Sequence, residues 1–175
     1  MTSPMHVDRL IGSMDRFADM LPAVVAGLSP EDARWRPVEG GWSILEIVAH
    51  LADEEVEDFR ARLRLTLQDP LADWPPIDPE GWAIQRRYNE EGLDAALGRF
   101  VAARRESVVW LRGLRNPDYS QSHEHPRGRV RAGDLLTAWA AHDALHLRQI
   151  AKRLYQITGR DAGEFHADYA GRWGS

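Results

Sequence analysis

Three histidines are the residues of this 175-residue chain with the clearest potential for chemistry. His142 and His146 are four residues apart in a strongly helical stretch, so both imidazoles project from one helix face, one turn apart. His50 lies in a second amphipathic stretch far upstream, and only folding can bring it to the pair. Three neutral imidazoles meeting at one point would give a divalent metal three ligands and leave a fourth position open, as in catalytic zinc sites.

The helix that carries the pair places both histidines on its core-facing side. Leu135, Trp139 and Ile150 share one stripe with them at steps of three and four residues. One inward histidine is usually a core residue with a hydrogen-bond partner, whereas two in succession leave buried nitrogens that need partners or a metal. Because a bare pair four residues apart is a weak motif, the spacing alone leaves metal binding and core packing equally open.

His50 is expected at the edge of its helix's apolar stripe, where three glutamates share its side: Glu46, Glu54 and Glu57. Glu54 lies one turn after His50. It could orient the imidazole, ligate a metal or act as a general base on a bound water. A solvated acidic face is the commoner explanation for such glutamates, and it is the prediction for the group as a whole.

Four long amphipathic helices must position these side chains. Apolar residues recur every three or four positions over 5–26, 44–67, 92–114 and 134–155. Ser43 with Glu46 forms a capping box before the second helix, Asp134 is expected to cap the fourth, and Pro22 should kink or end the first. Strand patterns are nearly absent. The sequence therefore predicts an all-α four-helix bundle with long connecting loops and a short C-terminal tail, as a single domain over 1–175.

The composition excludes several classes of protein. The net charge is −5 with acidic and basic residues interspersed, which argues against nucleic acid as a partner. For the densest basic stretch, Arg127, Arg129 and Arg131, a solvated loop is favoured over a phosphate site. The chain has neither the apolar run of a membrane span nor the features of a signal peptide, so no membrane association and a cytoplasmic location are expected. The lack of cysteine excludes disulfides, cysteine–zinc sites and a protein thiol nucleophile.

Other side chains with potential for chemistry have simpler explanations. His123 and His125 alternate in a polar stretch predicted to be a loop, where solvation is favoured, although they could line a mouth above the bundle. Trp42, Trp110 and Trp139 fall at positions expected to pack in or against the bundle rather than to stack on a cofactor.

Two blocks of sequence resemble a known family. The first begins at Gly40 and reads GGWSILE, followed by VAHL around His50. The second begins at Gly133 and reads GDLL, followed by HDALHLRQI from His142. In order and separation they are similar to the second-helix and fourth-helix signatures of the DinB/YfiT-like superfamily, and the resemblance covers nearly the whole chain.

The resemblance implies a four-helix bundle in which His50, His142 and His146 bind a divalent metal, commonly zinc or nickel, and it implies a frequent homodimer. Characterised members include enzymes that use bacillithiol, mycothiol or glutathione for S-transfer or isomerisation. The leading expectation is therefore a metal-dependent enzyme that activates an external low-molecular-weight thiol toward an electrophilic small molecule, with Glu54 as a base or as a partner that orients His50. Two alternatives stay open: a metal-dependent hydrolase that uses water, and a non-catalytic, stress-related metal-binding module.

Overall fold

The computed structural model describes residues 4–126 and 128–174. Its elements are α1 (Val7–Val24), α2 (Pro30–Arg34), α3 (Ile44–Glu54), α4 (Ala61–Gln68), α5 (Pro79–Gln85), α6 (Leu93–Gly113), β1 (Ser122–His125), β2 (Gly128–Arg131) and α7 (Ala132–Asp161). Six residues in π-helical conformation, Glu55–Arg60, join α3 to α4 as one continuous helix. Within the described ranges, no helix is long and apolar enough to cross a bilayer.

Four long helical segments form the bundle: α1, α3 with α4, α6 and α7. The prediction of an all-α four-helix bundle is confirmed. One apolar cluster surrounds α3, where the rings of Phe17 and Phe100 meet edge to face at 5.8 Å. A second cluster surrounds Trp139. Burial of each large apolar side chain contributes about 1.5–3 kcal/mol, and these clusters fix α3 and α7 relative to each other.

The starts of two helices show how the local sequence sets their bounds. At α3 the predicted capping box is present, because Glu46 N donates to Ser43 Oγ at 3.1 Å and Ser43 N donates to the Glu46 carboxylate at 2.9 Å. At α7 Asp134 does cap the helix, but it does so from the third helical residue and not from the N-cap position. The helix begins two residues earlier, and Asp134 accepts a hydrogen bond from the backbone N of the true N-cap, Arg131, at 3.0 Å.

Several element bounds differ from the prediction. Pro22 does not end α1 at once, since the helix continues to Val24. The fourth helix runs on to Asp161 because Ile157 is buried against the core, which extends the apolar stripe past 155. The two long connectors contain the short helices α2 and α5, and each has a proline in its first turn after a side-chain cap.

The stretch after α6 was expected to be a solvated loop, and this expectation is wrong. It forms an antiparallel hairpin in which His123 pairs with Val130. The rings of His123 and His125 lie 4.4 and 5.5 Å from Trp74, and this contact leaves both histidines half-buried.

The predicted basic stretch of the hairpin is largely neutralised. Arg127 lies outside the described residues. Arg129 binds the carboxylate of Glu124 at 2.6 Å, and Arg131 binds that of Asp134 at 2.9 Å. Both of these arginines are therefore already paired with a carboxylate, which weakens the case for a phosphate site.

Candidate metal centre

The structure brings the three predicted histidines together at the α3–α7 contact. Nε2 of His146 lies 3.1 Å from Nε2 of His50 and 2.9 Å from Nε2 of His142. One ligand nitrogen from each ring lies within 4.8 Å of the others. A tetrahedral zinc ion with its usual bond lengths separates two nitrogen ligands by about 3.3 Å, so a small outward shift of the rings would admit one.

Gln149 sets the orientation of the central imidazole. Its amide oxygen lies 2.8 Å from Nδ1 of His146, so Nδ1 carries the proton and donates it. The lone pair is then on Nε2, which faces the other two rings. Sequence reasoning gave Gln149 no role, although its position three residues after His146 places it on the same helix face.

Burial keeps two of the imidazoles neutral. Burial first, and the neighbouring His146 and His142 after it, lower the pKa of His50 to about 3. Burial, together with the charge of His142, also lowers the pKa of His146 to about 3. Both rings therefore keep a free lone pair at neutral pH, and a metal ligand needs one.

Glu54 completes the cluster with a carboxylate. Its Oε2 lies 3.2 Å from Nε2 of His142 and 3.5 Å from Nε2 of His50, and its side chain is only 7 % exposed. In the described part of the chain these histidines are its only ion-pair partners. A buried carboxylate without a permanent cation is costly, so this arrangement favours the arrival of a positive charge.

The prediction of a solvated glutamate face is wrong for two of the three residues. Every residue of α3 is buried, so the expected boundary between core and solvent at His50 does not exist. Glu46 points away from the cluster and binds Arg36 at 2.7 Å besides capping α3. Glu57 is exposed, as predicted, and pairs with Arg86.

Aromatic rings cover two of the imidazoles. Trp42 lies with its ring centre 4.6 Å from that of His50, and Phe59 lies 4.9 Å from His142. Arg153 holds the Trp42 segment by donating from Nε to its carbonyl oxygen at 2.6 Å. Gly41 has a φ of +101°, and a Cβ there would collide with the Arg153 guanidinium. The Gly-Gly-Trp block thus places a ring on His50, a role beyond the core packing predicted for Trp42.

Comparison with known proteins agrees with this arrangement. The sequence profile of the DinB superfamily matches residues 13–150, a stretch that includes all three histidines. The chain belongs to the DinB superfamily. The family resemblance read from the two sequence blocks is confirmed, and the histidines sit within the matched part of this DinB-superfamily chain.

Similar proteins have been described as candidate metal-dependent hydrolases. One from Oceanobacillus iheyensis is 25 % identical over 146 residues, which cover 82 % of this chain and 83 % of the relative. Another, from Geobacillus thermodenitrificans, is 33 % identical over 78 residues, or 44 % of this chain and 43 % of the relative. The fold matches that of YfiT from Bacillus subtilis, a candidate metal-dependent hydrolase with an unusual four-helix bundle topology. The TM-score is 0.80 at 18 % identity, over 90 % of this chain and 91 % of YfiT.

The histidine cluster lies at the bottom of an open cleft of about 800 Å³, a size that suits a small organic ligand. His142 is the most accessible of the three rings, with 18 % of its side chain exposed. Lys152, Arg153 and Glu80 also line the cleft. Among the residues that the structure describes, His123 and His125 do not line it. The three histidines could hold a divalent metal that a small molecule in this cleft would reach.

Proposed function

We propose that His50, His142 and His146 hold a divalent metal ion, and that the protein is a metal-dependent enzyme acting on a small molecule. The observation that carries the proposal is the meeting of three imidazole nitrogens beside a buried carboxylate at the bottom of an open cleft. Three imidazole ligands suit zinc or nickel. When bound, such an ion supplies Lewis-acid activation of a nucleophile at neutral pH.

In this proposal Glu54 is the general base. Its carboxylate lies beside the histidine nitrogens and has no arginine or lysine partner in the described residues, so it can take a proton from a nucleophile. Gln149 keeps Nε2 of His146 unprotonated. Trp42 and Phe59 pack against the rings of His50 and His142.

Water is the first candidate for the nucleophile. Glu54 would accept one water proton as the oxygen attacks an electrophilic carbon of the substrate, and it would return that proton to the leaving group. The description of the relatives as candidate metal-dependent hydrolases supports this reaction.

An external thiol is the second candidate. The absence of cysteine is compatible with it, since the thiol would enter the cleft as a cosubstrate. Lys152, the sole lysine of the sequence, is exposed and lines the cleft, where its ammonium could bind a carboxylate of such a thiol. Glu54 would take the thiol proton, and the thiolate would attack the electrophile. The homodimer implied by the resemblance stays a prediction.

The first experiment is metal analysis of purified protein. The wild type is expected to retain about one equivalent of zinc or nickel, and His142→Ala is expected to lose it. His123→Ala is the matched control, because His123 is half-buried in the hairpin and lies outside the cleft. Wild-type protein that binds neither metal, or His142→Ala protein with unchanged metal content, would overturn the proposal.

Electrophile consumption with and without added thiol then separates the two reactions. Consumption without any thiol supports hydrolysis. Consumption that requires bacillithiol, mycothiol or glutathione supports S-transfer. Metal binding with no consumption of any ester or alkyl halide tested would leave a metal-binding module without catalysis.

A further inference from the structure

A fully buried arginine lies behind the candidate metal centre. Arg104 of α6 is 1 % exposed. Its Nε donates to a carboxylate oxygen of Glu55 at 2.9 Å, and its two terminal nitrogens donate to both carboxylate oxygens of Asp143 at 2.6 and 2.8 Å. It also donates to the backbone oxygen of Met14 at 3.1 Å, so one side chain connects α1, α7 and the π-helical stretch.

The two acids bound by Arg104 are the chain neighbours of two residues of the centre. Glu55 directly follows Glu54, and Asp143 directly follows His142. Successive residues of a helix point about 100° apart, so one member of each pair can face the cleft while the other faces the core. Fixing the core-facing member therefore also fixes the direction of the cleft-facing one.

Glu55 is held from a second side as well. Trp139 Nε1 donates to the same carboxylate oxygen of Glu55 at 2.8 Å. The π-helical conformation begins at this residue, immediately after Glu54. Single π-helical turns of this kind occur frequently at functional sites.

We propose that Arg104 is a positioning residue that sets the separation between the Glu54 carboxylate and the His142 imidazole. The inference rests on the proposed function, which gives these two groups their tasks. The rigid fork of the guanidinium fixes both distance and angle between the two acids, and the Glu54–His142 contact of 3.2 Å lies one residue away from each acid.

Stability alone gives a poor account of this cluster. Taking an arginine and two carboxylates out of water costs several kcal/mol per ion, and apolar residues of similar volume often stabilise a core equally well. α6 contributes none of the three histidines and does not contribute Glu54. The presence of Arg104 on the buried face of α6 is explained if this residue aligns the helices that carry the histidines and Glu54.

Arg104→Lys is the main test. Lysine keeps the positive charge but cannot bind both acids with a planar fork. Zn²⁺ affinity, measured by competition with a chromogenic chelator, should fall about tenfold, because residues that orient ligands are usually worth 10- to 100-fold in metal affinity. Val108→Ala is the control: Val108 is 2 % exposed and lies one turn along α6, so the variant loses stability without touching the cluster. Its Zn²⁺ affinity should stay within about twofold of the wild type.

The double variant Arg104→Lys with Glu54→Gln tests whether Arg104 affects Zn²⁺ affinity through Glu54. If Arg104 acts through Glu54, Arg104→Lys should cost less than about threefold in Zn²⁺ affinity in the Glu54→Gln background, rather than about tenfold. Equal losses in both backgrounds would overturn the inference. So would an Arg104→Lys variant that unfolds more easily, as Val108→Ala does, with Zn²⁺ affinity unchanged.

A measurement on metal-free protein separates this inference from the proposed function. The imidazole ¹⁵N chemical shift of His142 Nε2 reports its contact with Glu54, and it should move in Arg104→Lys but not in Val108→Ala. If it moves and the wild type binds no Zn²⁺, the proposed function fails and the positioning role stands. If it does not move, the positioning role fails whatever the metal result. If the Arg104→Lys variant does not fold, Asp143→Asn replaces it in all of these measurements. This substitution keeps the shape of the side chain that the Arg104 guanidinium binds.

Discussion

Two pairs of histidines in this chain each lie on one face of their helix or strand, yet the contacts of their rings differ. His142 and His146, four apart on a helix, point ring nitrogens at each other and at His50. His123 and His125, two apart on a strand, stack ring faces on Trp74. Same-face spacing is thus common to both groups. A third donor from another element and a buried carboxylate distinguish the group that could hold a metal.

The largest expected effect comes from removing the central imidazole. His146→Ala leaves two ligands and no bridge between His50 and His142, so Zn²⁺ affinity should fall by at least about 100-fold. Zn²⁺ at 100 times the wild-type Kd should stabilise the wild type by about 2.7 kcal/mol and raise its melting temperature, but it should stabilise the variant by about 0.4 kcal/mol at most. His125→Ala should be stabilised like the wild type. Equal stabilisation of His146→Ala would erase the difference between the two groups.

The second effect is a dependence of metal-free stability on pH. The folded pKa values of His50 and His146 are lowered from 6.5 to about 3, so between these values the unfolded chain binds protons that the folded chain does not. Stability from these groups is present above about pH 6.5 and is lost as the pH falls toward 3. Each histidine should cost about 2 kcal/mol of unfolding free energy between pH 7.5 and pH 5.

Urea unfolding at the two pH values, with a chelator present, measures this loss. A variant carrying both His50→Gln and His146→Gln should lose correspondingly less stability on acidification. The same loss in the variant and the wild type would show that burial does not hold these rings neutral.

The smallest effect concerns the hairpin. Trp74→Leu removes the stack on His123 and the contact with the Arg62 guanidinium 4.9 Å from its ring. Aromatic pairs of this kind are worth about 0.5–1.5 kcal/mol beyond their burial, so a loss of about 1 kcal/mol in unfolding free energy is expected. Zn²⁺ affinity should be unchanged. A fall in affinity would mean that the hairpin supports the centre after all.

The sequence predicted the four long helices because they depend on local periodicity, and it joined His50 to His142 and His146 through the two blocks that resemble the family. The 3.6-residue pattern predicted the core-facing side of α7, and the Ser43–Glu46 capping box predicted where α3 begins. The pattern failed for the faces of α3, because this helix is buried on every side. The hairpin was missed because its strands are four residues long and carry polar side chains, which leaves no alternating pattern to detect.

Arg104 was missed although a signal existed. It continues the apolar stripe of α6 at four residues from both Phe100 and Val108, so its side chain had to enter the core. Its neighbour Arg105 has the same charge, but it is only partly buried and binds Asp15 and Asp19. Composition cannot separate the two arginines. What they bind depends on distances between helices, and no local pattern contains those distances.

The π-helical stretch Glu55–Arg60 has a consequence for how this chain can be aligned with its relatives. A π turn holds one residue more than the α turn it replaces. Deleting one residue there would restore the α turn and leave the downstream helix in the same rotation, whereas a deletion in the α-helical part of α3 would rotate it by about 100°. Leu63, fully buried in α4, and Glu54 would then both keep their places. A relative with a one-residue gap in this stretch can therefore keep both the packing of its second helix and the carboxylate beside its histidines.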